Sequence, residues 1–384
     1  MDLSAFDFDL PPELIAQDPP QARGASRLLV LRRDTGRIEH SQFARLANYL
    51  RGGDLLVLND TRVFPARLLG RRIPSGGAVE CVLLRQLPTP NSTTPNAATS
   101  NSDLLRPSSA LEVGRLGVGS LGVGSSEWEA LVHPGQKLEP GARMLFEGSG
   151  IRLHGEIVSR HFHGRRTVRL WTDEDIDLMD VIERIGHVPL PPYIKRDDRP
   201  DDRERYQTVY ARARGSIAAP TAGLHFTPEL LDELASRGVE RAEITLHVGY
   251  GTFKPIRTAR VEDHVVDPER FVVPAAAADA LTRARREGRR VIAVGTTTCR
   301  VLESLGVDAK GDVHEAKGEV TLFIRPGHSF RLVDGLVTNF HLPRSSLLVL
   351  VVAFAGRERI LEAYREAVER RYRFYSYGDA MLIV

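Results

Sequence analysis

The chain has 384 residues, 42% hydrophobic and 27% charged, a composition that suits folded domains and excludes wholesale disorder. Formal net charge is only +2, although all but five of the 52 basic residues are Arg, whose guanidinium forks suit phosphate and carboxylate partners. Cys81 and Cys299 stand far apart and support neither a disulfide framework nor a zinc site, and no apolar run approaches the roughly 18 residues of a membrane span. The acidic start also lacks the positive charge of a signal peptide, so a cytoplasmic protein that binds no metal is expected.

In chain order, RLLVLRR and RIEHSQF flank Asp34-Thr35-Gly36 as a hairpin, and FARLANYL reads as a short helix stopped by Gly52-Gly53. Leu55 to Leu58 form an apolar run typical of a strand covered on both faces. Asn59, Asp60, Thr61 and Arg62 therefore fall at its carboxyl end, where open α/β sheets bind ligands. A capped turn would use Asn-Asp-Thr equally well. Between residues 66 and 171 the pattern changes to short strand-like runs separated by Pro-Gly and Gly-rich breaks, as in a small β-barrel. Helix-and-strand alternation then resumes. The expected architecture is thus α/β, with a larger domain of residues 1–65 and 172–384 built on a mainly parallel sheet or barrel, interrupted by a small β-barrel domain at 66–171. Within the insert, residues 88–126 have the Ser, Thr, Asn, Pro and Gly content of a disordered loop. The formal G-x-G-x-x-G at Gly117 to Gly122 follows no strand and opens no helix, and reads as a chance match.

DEDIDLMDVIERIG is an amphipathic helix ending at Gly186, and HVPLPPYIKR and DDRPDDRER follow as a Pro-stiffened strip and an opposed-charge loop, suited to RNA contact or to a plain solvated connector. Next comes the stretch that the chain is organised around. Ala218 to Gly223 pack small residues into a turn that ends at His225-Phe226, and a helix begins there with Thr227 as N-cap, Pro228 in the first position and Gly238 as its stop. The strand AEITLHV then empties into Gly249-Tyr250-Gly251-Thr252. Two loops poor in bulk, each with a histidine at its edge, leave backbone amides and a helix N-terminus open to an anionic or carboxylate-bearing ligand. Both histidines can also be satisfied core residues, His247 the more readily because it lies within a strand.

RRVIAVG with Thr296-Thr297-Thr298 repeats the strand, polar turn and helix pattern, for which parallel strands with right-handed crossovers are expected. SSLLVLVVAFA is a buried helix and RERILEAYREAVERRY an amphipathic one. The tail RRYRFYSYGDAMLIV alternates Arg with aromatic rings, as a surface that stacks unpaired bases would, or a strand with one buried aromatic face.

Long stretches resemble a known family. FDFDLPPELIAQ, LVLNDTRVFPARLLGR, WEALVHPGQKL, GSIAAPTAGLHFTPELL, LHVGYGTFKPI, VGTTTCRVLES, VTNFHLPRSSLLVLV and YRFYSYGDAMLI are similar to the S-adenosylmethionine:tRNA ribosyltransferase-isomerases of queuosine biosynthesis, over nearly the whole chain apart from residues 88–126. The resemblance implies transfer and isomerisation of the ribosyl unit of S-adenosylmethionine onto 7-aminomethyl-7-deazaguanine at the tRNA wobble position, giving epoxyqueuosine-tRNA, adenine and methionine. S-adenosylmethionine is then a consumed donor, no metal or redox cofactor is involved, tRNA is the partner, and a monomer is expected. The chemistry needs a base at C5′ beside the sulfonium and an acid for the departing adenine. Asp60, His225 and His247 are the candidate catalytic residues. Asn59, Thr61, Arg62, Thr221, Gly223, Phe226, Gly249, Tyr250, Gly251, Thr252 and Asn339 are the candidate substrate-binding residues, and Lys195, Arg196, Arg370, Arg371, Arg373 and Tyr375 the candidate tRNA contacts. The alternatives are an S-adenosylmethionine-dependent tRNA methyltransferase, which would carry a Gly-rich loop where NDTRV stands, and a non-catalytic RNA-binding module.

Overall fold

The computed structural model describes residues 1–88, 125–253 and 255–384, so the expectations for the low-complexity stretch and for Gly117 to Gly122 fall almost wholly outside the described residues. The chain divides into two compact units, residues 1–64 with 188–384, and residues 65–187.

The first unit opens with β1 (Arg27–Leu31), β2 (Ile38–Gln42), β3 (Leu55–Asn59) and β4 (Thr61–Val63). The second unit holds β5 (Arg67–Ile73), β6 (Ala78–Gln86), β7 (Ser126–His133), β8 (Arg143–Gly148), β9 (Ile151–Arg160), β10 (Arg165–Trp171) and helix α1 (Leu178–Ile185). Returning to the first unit, the chain forms α2 (Asp202–Arg205), β11 (Ala213–Ser216), α3 (Pro228–Ser236), β12 (Glu240–Leu246), β13 (Glu269–Val273), α4 (Ala275–Arg286), β14 (Val291–Val294) and α5 (Thr296–Ser304). It ends with β15 (Ala316–Val320), β16 (Gly335–Asn339), α6 (Ser346–Ala355), α7 (Arg357–Glu369) and β17 (Ala380–Ile383).

Nine of these strands make one sheet in the order β15-β13-β12-β3-β14-β16-β17-β1-β2, and β4 pairs with β11 beside it. The side chains of β3 alternate between two cores. Leu55 and Val57 meet Leu281, Val301 and Leu348, whereas Leu56 and Leu58 meet Phe43, Phe226 and Leu230, which is why the run is apolar without interruption. The sheet is mixed, not mainly parallel, and it does not close. Only β12, β3, β14 and β16 form a contiguous parallel block, with β17 and β1 a further parallel pair. Helices α6 and α7, which touch each other, connect β16 to β17, and β17 runs antiparallel to β16.

Local signals match the elements closely around the central stretch. Thr227 Oγ1 accepts the Leu230 N–H at 3.2 Å, Pro228 is the first residue of α3, and Gly238 follows the helix at φ +80°, where only glycine is unstrained. FARLANYL is instead 3-10 helix over Phe43–Asn48.

The second unit is a closed antiparallel barrel in the order β10-β7-β6-β5-β8-β9. The expected boundary at 171/172 is corrected to 187/188, because Leu178, Val181 and Ile182 of α1 are buried and the helix packs on β8 and β9. A Cβ at Gly70 would lie 2.3 Å from the Leu145 carbonyl oxygen and 2.5 Å from the Phe146 ring, whereas one at Gly306 would meet nothing within 4 Å. Gly70→Ala is expected to destabilise the barrel by about 1–3 kcal/mol and Gly306→Ala by under about 0.5 kcal/mol, read as shifts of the urea unfolding midpoint.

Candidate functional site

All four strands of the parallel block end at one edge, and the segments leaving β12, β14 and β16 there contribute to a cleft of about 500 Å³. Its wall is made of Ala218 to Ala222, Val248 and Thr252, Gly295 to Thr297, Thr338, Asn339 and His341, with Leu347, Tyr375 and Ser376. Gly295 at φ +94° lets the chain turn straight from β14 into α5, whose first amides have no side-chain cap. The result is a pocket walled by small residues and threonine hydroxyls beside a helix N-terminus, at the place where α/β sheets bind ligands.

The loop after β12 is held from behind by a buried carboxylate. Glu269 Oε1 accepts the Gly249 N–H at 2.9 Å and the Thr252 hydroxyl at 3.0 Å, while Oε2 pairs with Arg300 Nη1 at 2.6 Å. Neither Glu269 nor Arg300 stands out in the sequence, since a lone Glu and a mid-helix Arg carry no motif. Gly251 is required by close approach, because a Cβ there would meet the Asp267 carboxylate at 2.5 Å. Tyr250 is half-buried in the same turn.

His225 is 4% exposed and both ring nitrogens are engaged. Asn339 Nδ2 is 3.1 Å from both His225 Nε2 and the Tyr375 carbonyl oxygen. That carbonyl can only accept, so the amide nitrogen must face it, Nε2 accepts, and Nδ1 carries the hydrogen toward Ser26 Oγ at 2.8 Å. Burial, then Arg23 and Arg373, push the His225 pKa down to about 3. The ring is neutral and fully bonded. A smaller hollow of about 270 Å³ lies on its other side, lined by Arg23, Arg205, His225, Ser376 and Tyr377 among others, and shares Ser376 with the cleft.

The structure does not bring Asp60 and His247 to the cleft wall. Asp60 Oδ1 accepts the Thr245 hydroxyl at 2.6 Å and Oδ2 pairs with Arg212 at 3.2 Å, while Arg212 also pairs with Glu243. His247 Nδ1 lies 2.9 Å from Thr61 Oγ1, and the ring covers Gly215, where a Cβ would stand 2.8 Å from it. Burial first, then Arg270, lowers the His247 pKa, and Asp60 partly opposes this. Asn59 is committed to the backbone: its amide bonds Leu246 N and O and Thr61 N. Phe226 belongs to the core with Phe43 at 5.0 Å between ring centroids, and Gly223 is where Tyr210 and Thr208 approach too closely for a Cβ. Of the expected substrate contacts, Thr221, Thr252 and Asn339 line the cleft, and so does Tyr375, expected at the tRNA face, with its ring 4.0 Å from that of Tyr193.

The expected tRNA cations differ in availability. Arg196 is clamped by both oxygens of buried Asp202 at 2.7 and 2.9 Å, and Arg370 pairs with Glu366 at 3.0 Å. Arg373 donates to the Asp18 carbonyl. Lys195, and Arg62 from the expected substrate contacts, are exposed and form no ion pair among the described residues, and the Arg371 side chain is 70% exposed with only a 4.0 Å contact to Glu13. Tyr372, Phe374, Tyr375 and Tyr377 are buried, so the aromatic tail packs inward and offers no stacking surface. Cys299 is fully buried and its thiol is pushed up by desolvation, which removes any thiolate role. Among the described residues no cluster of His, Cys, Asp and Glu could hold a metal ion, and no helix is long and apolar enough to cross a membrane. Sequence reasoning missed His341, Thr338 and Ser376. His341 was legible, standing two residues past the buried strand GLVTN.

A family model described as queuosine biosynthesis protein matches residues 3–383. The chain is 50% identical to the S-adenosylmethionine:tRNA ribosyltransferase-isomerase of Nitratidesulfovibrio vulgaris, over 99% of this chain and 97% of that protein. It is 48% identical to the protein of the same name from Heliobacterium modesticaldum, with both chains covered completely. A crystal structure of S-adenosylmethionine tRNA ribosyltransferase from Thermotoga maritima matches with a TM-score of 0.51 at 37% identity, over 99% of this chain and 100% of that one.

His225 and His341 share a pH signature, since burial pushes both down to about 3 from an ordinary value of 6.5. A histidine held neutral in the fold stabilises it fully above pH 6.5, and the contribution is lost as the pH falls toward 3 because the unfolded chain binds the proton first. Each ring should therefore cost about 1.4 kcal/mol per pH unit below pH 6.5. Urea unfolding between pH 6.5 and 5, above most carboxylate titration, is expected to show this slope, and His225→Gln to reduce it.

Proposed function

Because the chain belongs to the queuosine biosynthesis family of S-adenosylmethionine:tRNA ribosyltransferase-isomerases, we propose that it transfers and isomerises the ribosyl unit of S-adenosylmethionine onto 7-aminomethyl-7-deazaguanine (preQ1) at the tRNA wobble position, in the cytoplasm and as a monomer. Epoxyqueuosine-tRNA, adenine and methionine are the products, and the donor is consumed. The observation that carries this reading is the cleft at the carboxyl edge of the parallel block, whose small walls and hydroxyls suit a nucleoside and whose uncapped helix start at Thr296 suits a carboxylate.

The sulfonium acidifies the C5′ hydrogens, and a neutral imidazole is a suitable acceptor for one of them. His247, whose pKa is lowered and whose Nδ1 is fixed by Thr61, is the candidate, although its ring lies outside the cleft wall that its neighbour Val248 lines. Asp60 favours the protonated ring electrostatically. His225, with both nitrogens engaged, positions Asn339. Arg62, Lys195 and Arg371 are candidate cations for tRNA phosphates. Arg23 and Arg205, which donate to backbone carbonyls and form no ion pair among the described residues, add positive charge beside His225.

Incubation with S-adenosylmethionine and tRNA carrying the deazaguanine precursor, followed by mass analysis, is expected to yield free adenine, methionine and a tRNA gaining the isomerised ribosyl unit. Methylated tRNA without adenine would replace this reading by a methyltransferase, and tRNA binding indifferent to the donor by an RNA-binding module. Asp60→Asn and His247→Gln are expected to lower kcat roughly 10²- to 10⁴-fold with tRNA affinity nearly unchanged. Arg371→Ala should weaken tRNA binding and flatten its dependence on salt, whereas Arg196→Ala should act through stability, because it leaves the buried Asp202 carboxylate unpaired.

A further inference from the structure

Two polar atoms in the cleft wall have no hydrogen-bond partner among the described residues, Asn339 Oδ1 and His341 Nδ1. Both side chains line the cleft, and they are only 2% and 4% exposed. Buried polar atoms in folded proteins are nearly always paired, so two orphans in the same wall point to a ligand that pairs them. Asn339 ends β16 and His341 stands two residues on, with Phe340 between them buried in the core, the alternation that sends positions i and i+2 of an extended chain to one side.

The chemistry of the two atoms can be read from their neighbours. Asn339 spends both amide hydrogens on the Tyr375 carbonyl and His225, so its Oδ1 can only accept and the ligand must bring a donor, an O–H or an N–H; a flat base brings an N–H. His341 Nε2 is 2.8 Å from the Thr338 hydroxyl. When that hydroxyl donates, Nδ1 carries the hydrogen, and the ligand must bring a lone pair beside its N–H. An amino group next to an unprotonated ring nitrogen has this pattern. Ala218, Ala219, Pro220 and Leu347 offer the apolar surface that a flat ring requires.

We propose that Asn339 and His341 read the amino-and-ring-nitrogen edge of adenine in the donor, Asn339 accepting from N6 and His341 donating to the neighbouring ring nitrogen. His341 is thus a specificity-determining residue and, by bonding a nitrogen of the departing base, one that holds the leaving group. The inference rests on the reading of the cleft as the S-adenosylmethionine site. A similar edge exists on the deazaguanine of tRNA, at its 2-amino group and N3, so the experiment must separate the two sources.

Calorimetric affinities of the wild-type chain for S-adenosylmethionine and for its 1-deaza- and 7-deaza-adenine analogues, without tRNA, test the proposal directly. One analogue is expected to bind roughly 10- to 100-fold more weakly, which also tells which ring nitrogen is used. His341→Leu should lower affinity for S-adenosylmethionine by the same factor and abolish discrimination against that analogue. Thr338→Val, which keeps the shape but removes the hydroxyl that sets the tautomer, should narrow it. Equal wild-type affinity for all three ligands would overturn the proposal and leave the donor site standing, whereas no binding of S-adenosylmethionine at all would overturn the proposed function beneath it. If His341→Leu and Thr338→Val weaken precursor tRNA binding while donor affinity is intact, the edge belongs to the tRNA base and the adenine assignment fails.

Discussion

The carboxamide of Asn339 ties together three segments that are remote in the sequence: the end of β16, the turn carrying His225, and the chain at Tyr375. Its orientation is forced by a carbonyl that can only accept, and everything beyond follows from that constraint. The histidine must be the neutral Nδ1–H tautomer, its hydrogen goes to Ser26, and the carboxamide oxygen is left without a partner among the described residues. A protonated His225 would meet the amide N–H with an N–H of its own, so burial and hydrogen bonding both select the neutral ring. Both His225 nitrogens are thus engaged, and the ring holds Asn339 in place.

Buried carboxylates play the same organising part elsewhere. Glu269 holds the Gly249 to Thr252 turn and is itself held by Arg300. Asp202 gathers Arg196, the Arg199 amide and the Tyr377 hydroxyl. Asp379 accepts from Arg27 and from the Arg373 amide. Charge-assisted bonds of this kind are short and directional, and removing one partner strands a buried charge, so each fixes a loop more firmly than neutral bonds would. They also engage Arg27, Arg196 and Arg300. Guanidinium groups that look like an RNA-binding surface in the sequence are partly consumed inside the protein, leaving a smaller set of unpaired cations to face an anionic partner.

The four-strand parallel block gives these devices a common place. Strand ends at one edge deliver the polar turns after β12, β14 and β16 to a single cleft, while side chains behind that edge fill two apolar cores. Antiparallel strands flank the block and complete the sheet without contributing a further parallel strand end to it.

Local chemistry was legible in the sequence: the Thr227 cap and Gly238 stop of α3, the apolar run of β3, the small-residue turns, and the long motifs that carry the family resemblance. These signals depend on neighbours a few residues apart, which a linear reading can see. Strand direction, the 187/188 boundary and the engagement of each titratable group were decided only by tertiary structure. His225 meets Ser26 and Asn339 at sequence separations of 199 and 114, and Asp60 meets Thr245 at 185, so whether such a group is free or satisfied depends on partners that only folding brings near. The alternating Arg and aromatic tail makes the same point, because its pattern suits an RNA surface and a buried face alike. Tyr372, Phe374 and Tyr377 pack beneath the surface, since apolar rings gain more from the core than from water, but they do so from bends and turns with Phe374 to Ala380 all buried, and the strand begins only at Ala380.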